Sequence, residues 1–543
     1  GPGPFDVVRV RPIDVALRSA SRQTFLLIFI TAAVLLLVAC LNVMGLAAAR
    51  AQDRRQELAL RRAIGATGTD LVRLLAAESL VTVILGGALG LSASWILVGV
   101  VSSFLPESIS LLKPLTVDWR VGAFVAAASA VCLMLTTAWP ARAVLRSNSA
   151  PGLVDAGRVT GRQRTVGRLG LVAAQVALAL LMSLGGVLVA KSLVRVWRED
   201  PGYRVSQTTN IWLSSRADES RAHIADLLDD LGGLPDVGAA GGSNLLLLQR
   251  AVRGSSFDAP AGVVETSNIE SVGVTRGYFE ATGIRPLVGR LPTEDELDGA
   301  APVVLVSDRV ARDYWPGRSA VGQTLTRRQQ RFDVIGVVPD ARYLALDIDP
   351  DGSLYYPLFA DPSPSLVNVL IAHNAGGFRS LSSVLNLIAT RHPIYRVRSA
   401  RDVGATLGDS IRQRSFLTFL FAGFGGAAVV IAAVGVLGLA AIVTSRRTRE
   451  VGVRMAVGAR PAQIVGLVVR QELAGVLCGL TAGALAAAWS VRLMQPYMYK
   501  VSVYDPVAWT AAIGLLLATS TIGVLIPALR ASRTDPVKAL RAE

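Results

Sequence analysis

The chain has 543 residues, of which 52% are hydrophobic and only 17% charged, and it carries a formal net charge of +15 at pH 7. A soluble protein of this length carries about a quarter charged residues, so the composition excludes an ordinary soluble globule and places the chain in a membrane. Nearly all the positive charge is arginine, because Lys113, Lys191, Lys500 and Lys538 are the only lysines; the arginines cluster between apolar runs, which reads as membrane topology rather than a nucleic-acid-binding face.

The N-terminus reads GPGP, which resembles the scar of a protease-cleaved tag, and no cleavable signal peptide is visible. A helix needs about 20 apolar residues to cross a bilayer core. Seven runs qualify: residues 24–48, 75–105, 121–140, 169–190, 417–443, 474–493 and 507–528. Arginines fill the segments between spans one and two (Arg50, Arg54, Arg55, Arg61, Arg62, Arg73), three and four (Arg142 to Arg168), and five and six (Arg446 to Arg460). They also follow span seven, with Arg530, Arg533 and Arg541. The positive-inside rule puts these segments and the C-terminus in the cytoplasm. Alternation then puts residues 194–416 outside.

Residues 194–416 have a soluble composition and no cysteine. Within them PVVLVSDRVARDYWP (302–316) reads as a buried strand followed by an amphipathic helix, and FDVIGVVPDARY (332–343) as a further strand. The expected fold class is an α-helical polytopic membrane protein of about seven transmembrane helices with one mixed α/β extracytoplasmic domain. The expected divisions are an N-terminal outer segment (1–23), a three-helix unit (24–145) and a basic linker (146–168). A leading helix (169–193), the outer domain (194–416), a second three-helix unit (417–530) and a C-terminal tail (531–543) follow.

One stretch occurs twice. Residues 56–66 read QELALRRAIGA and residues 449–459 read REVGVRMAVGA. In both, a span precedes the stretch and two spans follow it, as in a duplicated module. Glu57 and Arg61, like Glu450 and Arg454, stand at i,i+4 in the order that favours a helical ion pair. Leu60, Ala63 and Ile64, with Val453, Ala456 and Val457, form an apolar stripe alongside. Gly65 and Gly458 end the helix. Each copy therefore reads as a short amphipathic cytoplasmic helix. It either stabilises its loop or docks a partner, and two equivalent copies suit a partner with twofold symmetry.

REVGVRMAVGA resembles the signature of FtsX/MacB-like permeases of ABC transporters. LLLVACLNVMGLAAAR (35–50), DPGY (200–203), VTRGYFEATGIRPLVGR (274–290), ARDYWPG (311–317), VIGVVPDARY (334–343) and PALRASRTDPVKALRAE (527–543) resemble further motifs of that family in its order. The match covers nearly the whole chain and is similar to the duplicated single-chain branch, the acidobacterial-type duplicated orphan permeases. The resemblance implies a permease coupled to a cytosolic ABC ATPase dimer in the bacterial plasma membrane, among membrane lipids and with an extracytoplasmic partner or adaptor. Its implied coupling residues are Glu57, Arg61, Gly65 and Ala66 in the first copy and Glu450, Arg454, Gly458 and Ala459 in the second. The family unit has a leading span and an outer domain, which the first unit here lacks. Gln471 stands opposite Glu78, so the two halves need not be equivalent.

Residues 185–192, GGVLVAKS, fall one residue short of a phosphate loop, with Ala190 in place of the second glycine; Lys191 there reads as a lysine snorkelling from a helix end. ATP hydrolysis is thus expected on another chain, and no cofactor is expected. His223, His373 and His392 are scattered and read as surface residues, and Asp347, Asp349 and Asp351 read as a turn rather than a calcium loop. Cys40, Cys132 and Cys478 lie in apolar runs without metal or disulfide spacing. Two functions stay open: ATP-driven efflux or mechanotransmission, and a non-transporting scaffold that regulates an outer cell-wall hydrolase.

Overall fold

The computed structural model describes residues 13–53, 57, 60–61, 64–103, 116–146, 156–215, 221–248, 254–259, 262–327, 330–361, 366–374, 381–446, 454–455, 457 and 460–532. The chain divides into two compact units, Gly1–Arg195 with Arg414–Glu543, and Val196–Gln413.

The first unit begins with α1 (Ile13–Asp53), α2 (Gly68–Ser103), α3 (Trp119–Arg146) and α4 (Ala156–Trp197). It resumes beyond the second unit with α10 (Val403–Arg446), α11 (Pro461–Ser490) and α12 (Pro506–Ser532). All seven are long and apolar enough to cross a membrane. The helices outrun the apolar runs that mark them, because polar flanks such as AGRVTGRQRTVGR (156–168) are also helix-compatible. At 1.5 Å per residue, α4 and α10 span roughly 63 and 66 Å, about twice a hydrocarbon layer of ~30 Å.

The core of this unit is built around α4. Val176, Leu180, Leu184 and Leu188 are fully buried against Ala428 and Ala432 of α10, Val476 of α11 and Ala512 and Leu516 of α12. Lipid tails are as apolar as leucine, so such helices associate through close packing of small residues rather than through water exclusion. Here α11 supplies them: a Cβ on Gly479 would stand 2.6 Å from the Ala173 carbonyl oxygen, and one on Gly483 would stand 2.8 Å from Ala177 Cα.

α1 and α10 meet through equivalent positions of the repeat. The offset that aligns Glu57 with Glu450 also aligns Gly45-Leu46 with Gly438-Leu439. Gly45 faces Leu439, and Gly438 faces Leu46, at 3.5 and 2.8 Å from a notional Cβ. A contact in which i meets j while the equivalent of j meets the equivalent of i is the mark of an isologous interface. The contact between α1 and α10 is therefore locally pseudo-twofold. Asn42, whose equivalent is Gly435, lies at this contact and donates from Nδ2 to the Ile431 carbonyl at 3.3 Å, beside Gln175, which donates to the same oxygen at 3.2 Å.

The second unit is a mixed α/β fold. In chain order it runs β1 (Thr208–Ser215), α5 (Arg221–Gly232), β2 (Val237–Ser243), β3 (Gly254–Ala259), β4 (Gly262–Val274), α6 (Tyr278–Thr282), β5 (Val288–Gly289) and α7 (Glu294–Asp298). β6 (Val303–Ser307), α8 (Asp308–Tyr314), β7 (Thr324–Arg327), β8 (Gln330–Val338), β9 (Ser353–Pro357), β10 (Asn368–His373), α9 (Leu381–Arg391) and β11 (Tyr395–Asp402) follow. The strands form one sheet in the order β11-β1-β10-β2-β4-β3-β7-β8-β6-β9, with β9 also pairing β4. The last pairing closes the second half of the sheet on itself, while the first half stays open and is covered by α5 and α9.

The strand and helix expected within residues 302–316 are β6 and α8, and β8 lies in the second motif. Each half of the sheet has its own apolar cluster, one around Ile211, Leu227 and Ile371, the other around Val306, Trp315 and Phe332. A third cluster joins them, in which the Tyr278 and Tyr343 hydroxyls stand 2.7 Å apart and Tyr343 donates to the Tyr355 hydroxyl at 3.1 Å. Gly277 places Tyr278 there: with φ +72°, it runs against the β2 backbone at Ala240 and Gly241, where no side chain fits.

Candidate functional site

The first copy of the repeated stretch precedes α2. Arg61 Nη2 donates to Glu57 Oε1 at 2.7 Å, and the two side chains are 47% and 44% exposed. The Ala66 amide donates to the Arg61 carbonyl at 3.0 Å, and Gly65 has φ +106°. This six-to-one bond across a left-handed glycine is a Schellman-type helix end. It explains why Gly-Ala closes the stretch: an L side chain at residue 65 would be strained, and the amide of residue 66 satisfies a terminal carbonyl.

Thr67 then starts α2 with a reciprocal cap. Its Oγ1 accepts from the Asp70 amide at 3.3 Å, and Asp70 Oδ2 accepts from the Thr67 amide at 3.0 Å. Leu71, 2% exposed, anchors the new helix. The expected apolar stripe is solvent-facing where it is described, with Leu60 63% and Ile64 79% exposed.

In the second copy Glu450, Val453, Ala456, Gly458 and Ala459 lie outside the described residues, as does Ala63 of the first. Arg454 is described and exposed, and Val457, the equivalent of Ile64, is 83% exposed. The helix that follows starts in a related way: Gln463 Oε1 accepts from the Arg460 amide at 3.0 Å, Pro461 takes the first turn, and Ile464 is buried where Leu71 is.

Two ionic contacts were not legible in the sequence. Arg168, at the polar end of α4, pairs with Glu472 of α11 at 2.8 Å, and the glutamate side chain is 4% exposed. Arg168 reads in sequence as one topological arginine among many. Only the placing of Glu472 inside an apolar run signals a partner.

The second contact corrects the reading of Lys191 as a snorkelling residue. Lys191 Nζ donates to both Asp505 carboxylate oxygens at 2.7 Å. Asp505 in turn accepts from the Ala508 amide at 3.0 Å and caps α12; Lys191 beside it holds its carboxyl below the usual range. The neighbouring Ser192 Oγ accepts from the Tyr499 amide at 2.8 Å and from Arg414 Nη1 at 3.0 Å. The near-phosphate-loop residues thus lie on a transmembrane helix and knot α4 to α10 and to the segment before α12.

His223 is exposed, as expected, while His373 and His392 are half-buried and partnered. His373 Nε2 lies 2.8 Å from Thr209 Oγ1, with burial pushing its imidazole pKa down, and His392 Nε2 lies 3.0 Å from Asp230 Oδ2. Asp347 lies in a turn, as expected, and Asp349 just beyond it pairs with Arg342 at 3.0 Å. Arg342 also binds Glu199 at 3.0 Å, and its own amide donates to the Pro201 carbonyl at 2.9 Å. The DPGY and VPDARY motifs therefore pack on each other. Among the described residues, no group of three or more His, Cys, Asp or Glu could hold a metal ion.

The family model described as FtsX-like permease C-terminal matches residues 29–149 and 422–536, and the MacB-like periplasmic core domain matches residues 169–379. The chain belongs to the FtsX/MacB-like permease family. It is accordingly a membrane protein with an extracytoplasmic domain. Among its relatives, the macrolide export ATP-binding/permease protein MacB of Bdellovibrio bacteriovorus is 24% identical over 51% of this chain and 44% of that protein. The pyoverdine export ATP-binding/permease protein PvdT of Pseudomonas savastanoi pv. phaseolicola is 25% identical over 61% of this chain and 51% of that protein. The chain thus spans about half the length of the curated relatives it matches. The periplasmic region of MacB from Actinobacillus actinomycetemcomitans matches 39% of this chain and 95% of its own, at 15% identity and a TM-score of 0.30.

Proposed function

We propose that this chain is the permease of a MacB-type ABC transporter, and that residues 56–66 and 449–459 are the sites at which a cytosolic ATPase dimer docks. The observation that carries the reading is the first copy: an exposed ion pair and apolar stripe, ended by a fixed Schellman turn that leads directly into α2. Force on such a helix passes into the span with little slack. The pseudo-twofold contact of α1 with α10 supports a partner that is itself twofold. Residues 1–543 contain no complete phosphate loop, and this reading assigns ATP hydrolysis to the docked ATPase. The relatives' names join ATP-binding and permease functions and speak of macrolide and pyoverdine export; an amphipathic exported molecule is the corresponding substrate class here. The arginine distribution puts the second unit outside, and α10, continuous from that unit into the membrane, carries movement to it.

Charge reversal tests the docking. Glu57→Arg with Arg61→Glu, and Glu450→Arg with Arg454→Glu, preserve a pair within each helix; an exposed pair contributes about 0.2–1 kcal/mol, so folding and membrane expression stay normal. Facing the wrong charges on a partner costs several kcal/mol. Co-purification with the cognate ATPase is expected to fall at least tenfold when both copies are reversed. Undiminished co-purification would assign these helices a purely structural role. An ATPase that co-purifies normally while neither export nor an outer hydrolase's activity depends on ATP would contradict the coupling.

A further inference from the structure

Strand alternation gives β1, in the open half of the sheet, two distinct faces. Ile211 and Leu213 pack beneath α5 and α9. Asn210 and Trp212 point the other way, and their partners in the β11 pairing are Arg401 and Ser399. These four side chains line a cavity of about 250 Å³, walled by residues 246–248 after β2 and by the first turns of α10. Its polar groups are unpaired: Asn210 Oδ1 is buried without a hydrogen-bond partner, and the Trp212 indole and Ser399 hydroxyl make no side-chain hydrogen bond among the described residues. Its charges are already paired, because Asp409 accepts from Arg401 at 2.7 Å and also from Arg412. Leu248, in the cavity wall, holds φ +56°, a left-handed conformation that costs a non-glycine residue energy and that gathers at ligand sites.

We infer that this cavity binds a neutral hydroxylated ring, the sugar of a glycoside. Sites for drug-sized ligands measure about 300–1,000 Å³, so this one takes a single ring and leaves the rest of the molecule outside. A sugar ring has an apolar C–H face, which suits Trp212 and the leucine wall. Its edge carries hydroxyls that both donate and accept, which suits Asn210 and Ser399. A hydrocarbon or plain aromatic ring would leave those groups unpaired, at a cost in affinity. An ion would have to compete for charges that already hold each other. Asp409 precedes the apolar run 417–443 by about two helical turns, so an apolar tail on the same molecule has a short path to the bilayer. Assigning the cavity to recognition of the exported molecule rests on the export reading above; the binding of a sugar ring does not.

The test uses the full chain in nanodiscs of glycolipid-free lipid. The probes are octyl glycosides of glucose, galactose, mannose, rhamnose and N-acetylglucosamine, below their micelle concentrations. At least one is expected to bind saturably, beyond its partition into empty nanodiscs. Trp212→Leu is expected to weaken that binding at least tenfold, and Trp212→Phe less. Ser399→Ala, which removes one oxygen and should leave the melting of the second unit unchanged, is expected to weaken it severalfold. The methyl glycoside of the same sugar separates the sources: weaker binding than the octyl form assigns a membrane-borne glycoside, and equal binding a soluble one. Tetraethylene glycol octyl ether has the tail without the sugar, and benzyl alcohol has a ring without its hydroxylated edge; neither is expected to displace the probe. Three results overturn the inference: no saturable binding by any glycoside, displacement by either control as effective as by the glycoside, or affinity unchanged in both Trp212→Leu and Ser399→Ala. No ATPase is present, so failure here leaves the docking proposal untouched, and the reverse.

Discussion

Glu270 shows how much a single buried group sets. It lies on β4 beside Ser353 of β9, is 5% exposed, and neither carboxylate oxygen has a hydrogen-bond partner among the described residues. Burial pushes its pKa from the ordinary 4.5 up to about 7. Between those values the folded state keeps a proton that the unfolded chain has released. The contribution is therefore full at the acid end, declines as pH rises through the window, and is lost above it. The unfolding midpoint of the second unit, followed in the full chain in detergent, should fall across this window, and Glu270→Gln should flatten the fall and raise the midpoint by a few degrees at neutral pH. An identical slope in the variant would contradict the assignment. The Arg168–Glu472 pair sets a different balance: Glu472→Ala leaves the arginine facing a poorly solvated site and should cost about 3–5 kcal/mol. Arg168→Leu with Glu472→Leu should recover most of that loss. Thermal melting of the single and double variants separates the two outcomes.

At the level of elements, the apolar runs announce every transmembrane helix, because bilayer thickness imposes a length that few other segments reach. They do not announce the ends. The polar turns of α4 and α10 continue the helix without an apolar signal, and the hydropathy of a run says nothing about propensity beyond it. The ion pair and the stop at Gly65 were legible, since both depend on residues within one or two turns of each other. The Arg168–Glu472 and Lys191–Asp505 contacts were not, because their partners are hundreds of positions apart and only packing brings them together. The closed half of the sheet was equally hidden: the β4–β9 pairing joins strands whose sequences say nothing of each other. Gly65 gives the element-level prediction. Gly65→Val forces a β-branched side chain to φ +106°, at about 1–3 kcal/mol of local strain, yet nothing described lies near it to clash. Melting of the whole chain should barely change, while ATP hydrolysis by the associated ATPase should lose most of its stimulation by the permease, and Gly65→Asn, which tolerates the left-handed region, should keep more. Equal stimulation in all three would show that the turn transmits nothing.

For the whole molecule, the repeat is the organising fact. It places two similar stretches, two small-residue helix faces and one isologous contact in a single chain, and the extracytoplasmic domain is inserted between α4 and α10. Its side of the membrane rests on the arginines. Asp226→Cys and Asn386→Cys, both at exposed positions of the second unit, should react with a membrane-impermeant thiol reagent in intact spheroplasts, in a background with Cys40, Cys132 and Cys478 replaced by serine. Labelling that appears only after lysis would invert the topology. The central claim, that both copies of the repeated stretch dock on one ATPase dimer, is tested most directly at Ile64 and Val457, equivalent apolar residues that are 79% and 83% exposed. A photo-crosslinking amino acid at either position, in cells expressing the cognate ATPase, should yield an adduct with the ATPase from both positions, lost when the adjoining charges are reversed; adducts with lipid alone, from either position and in the presence of ATPase, would contradict it.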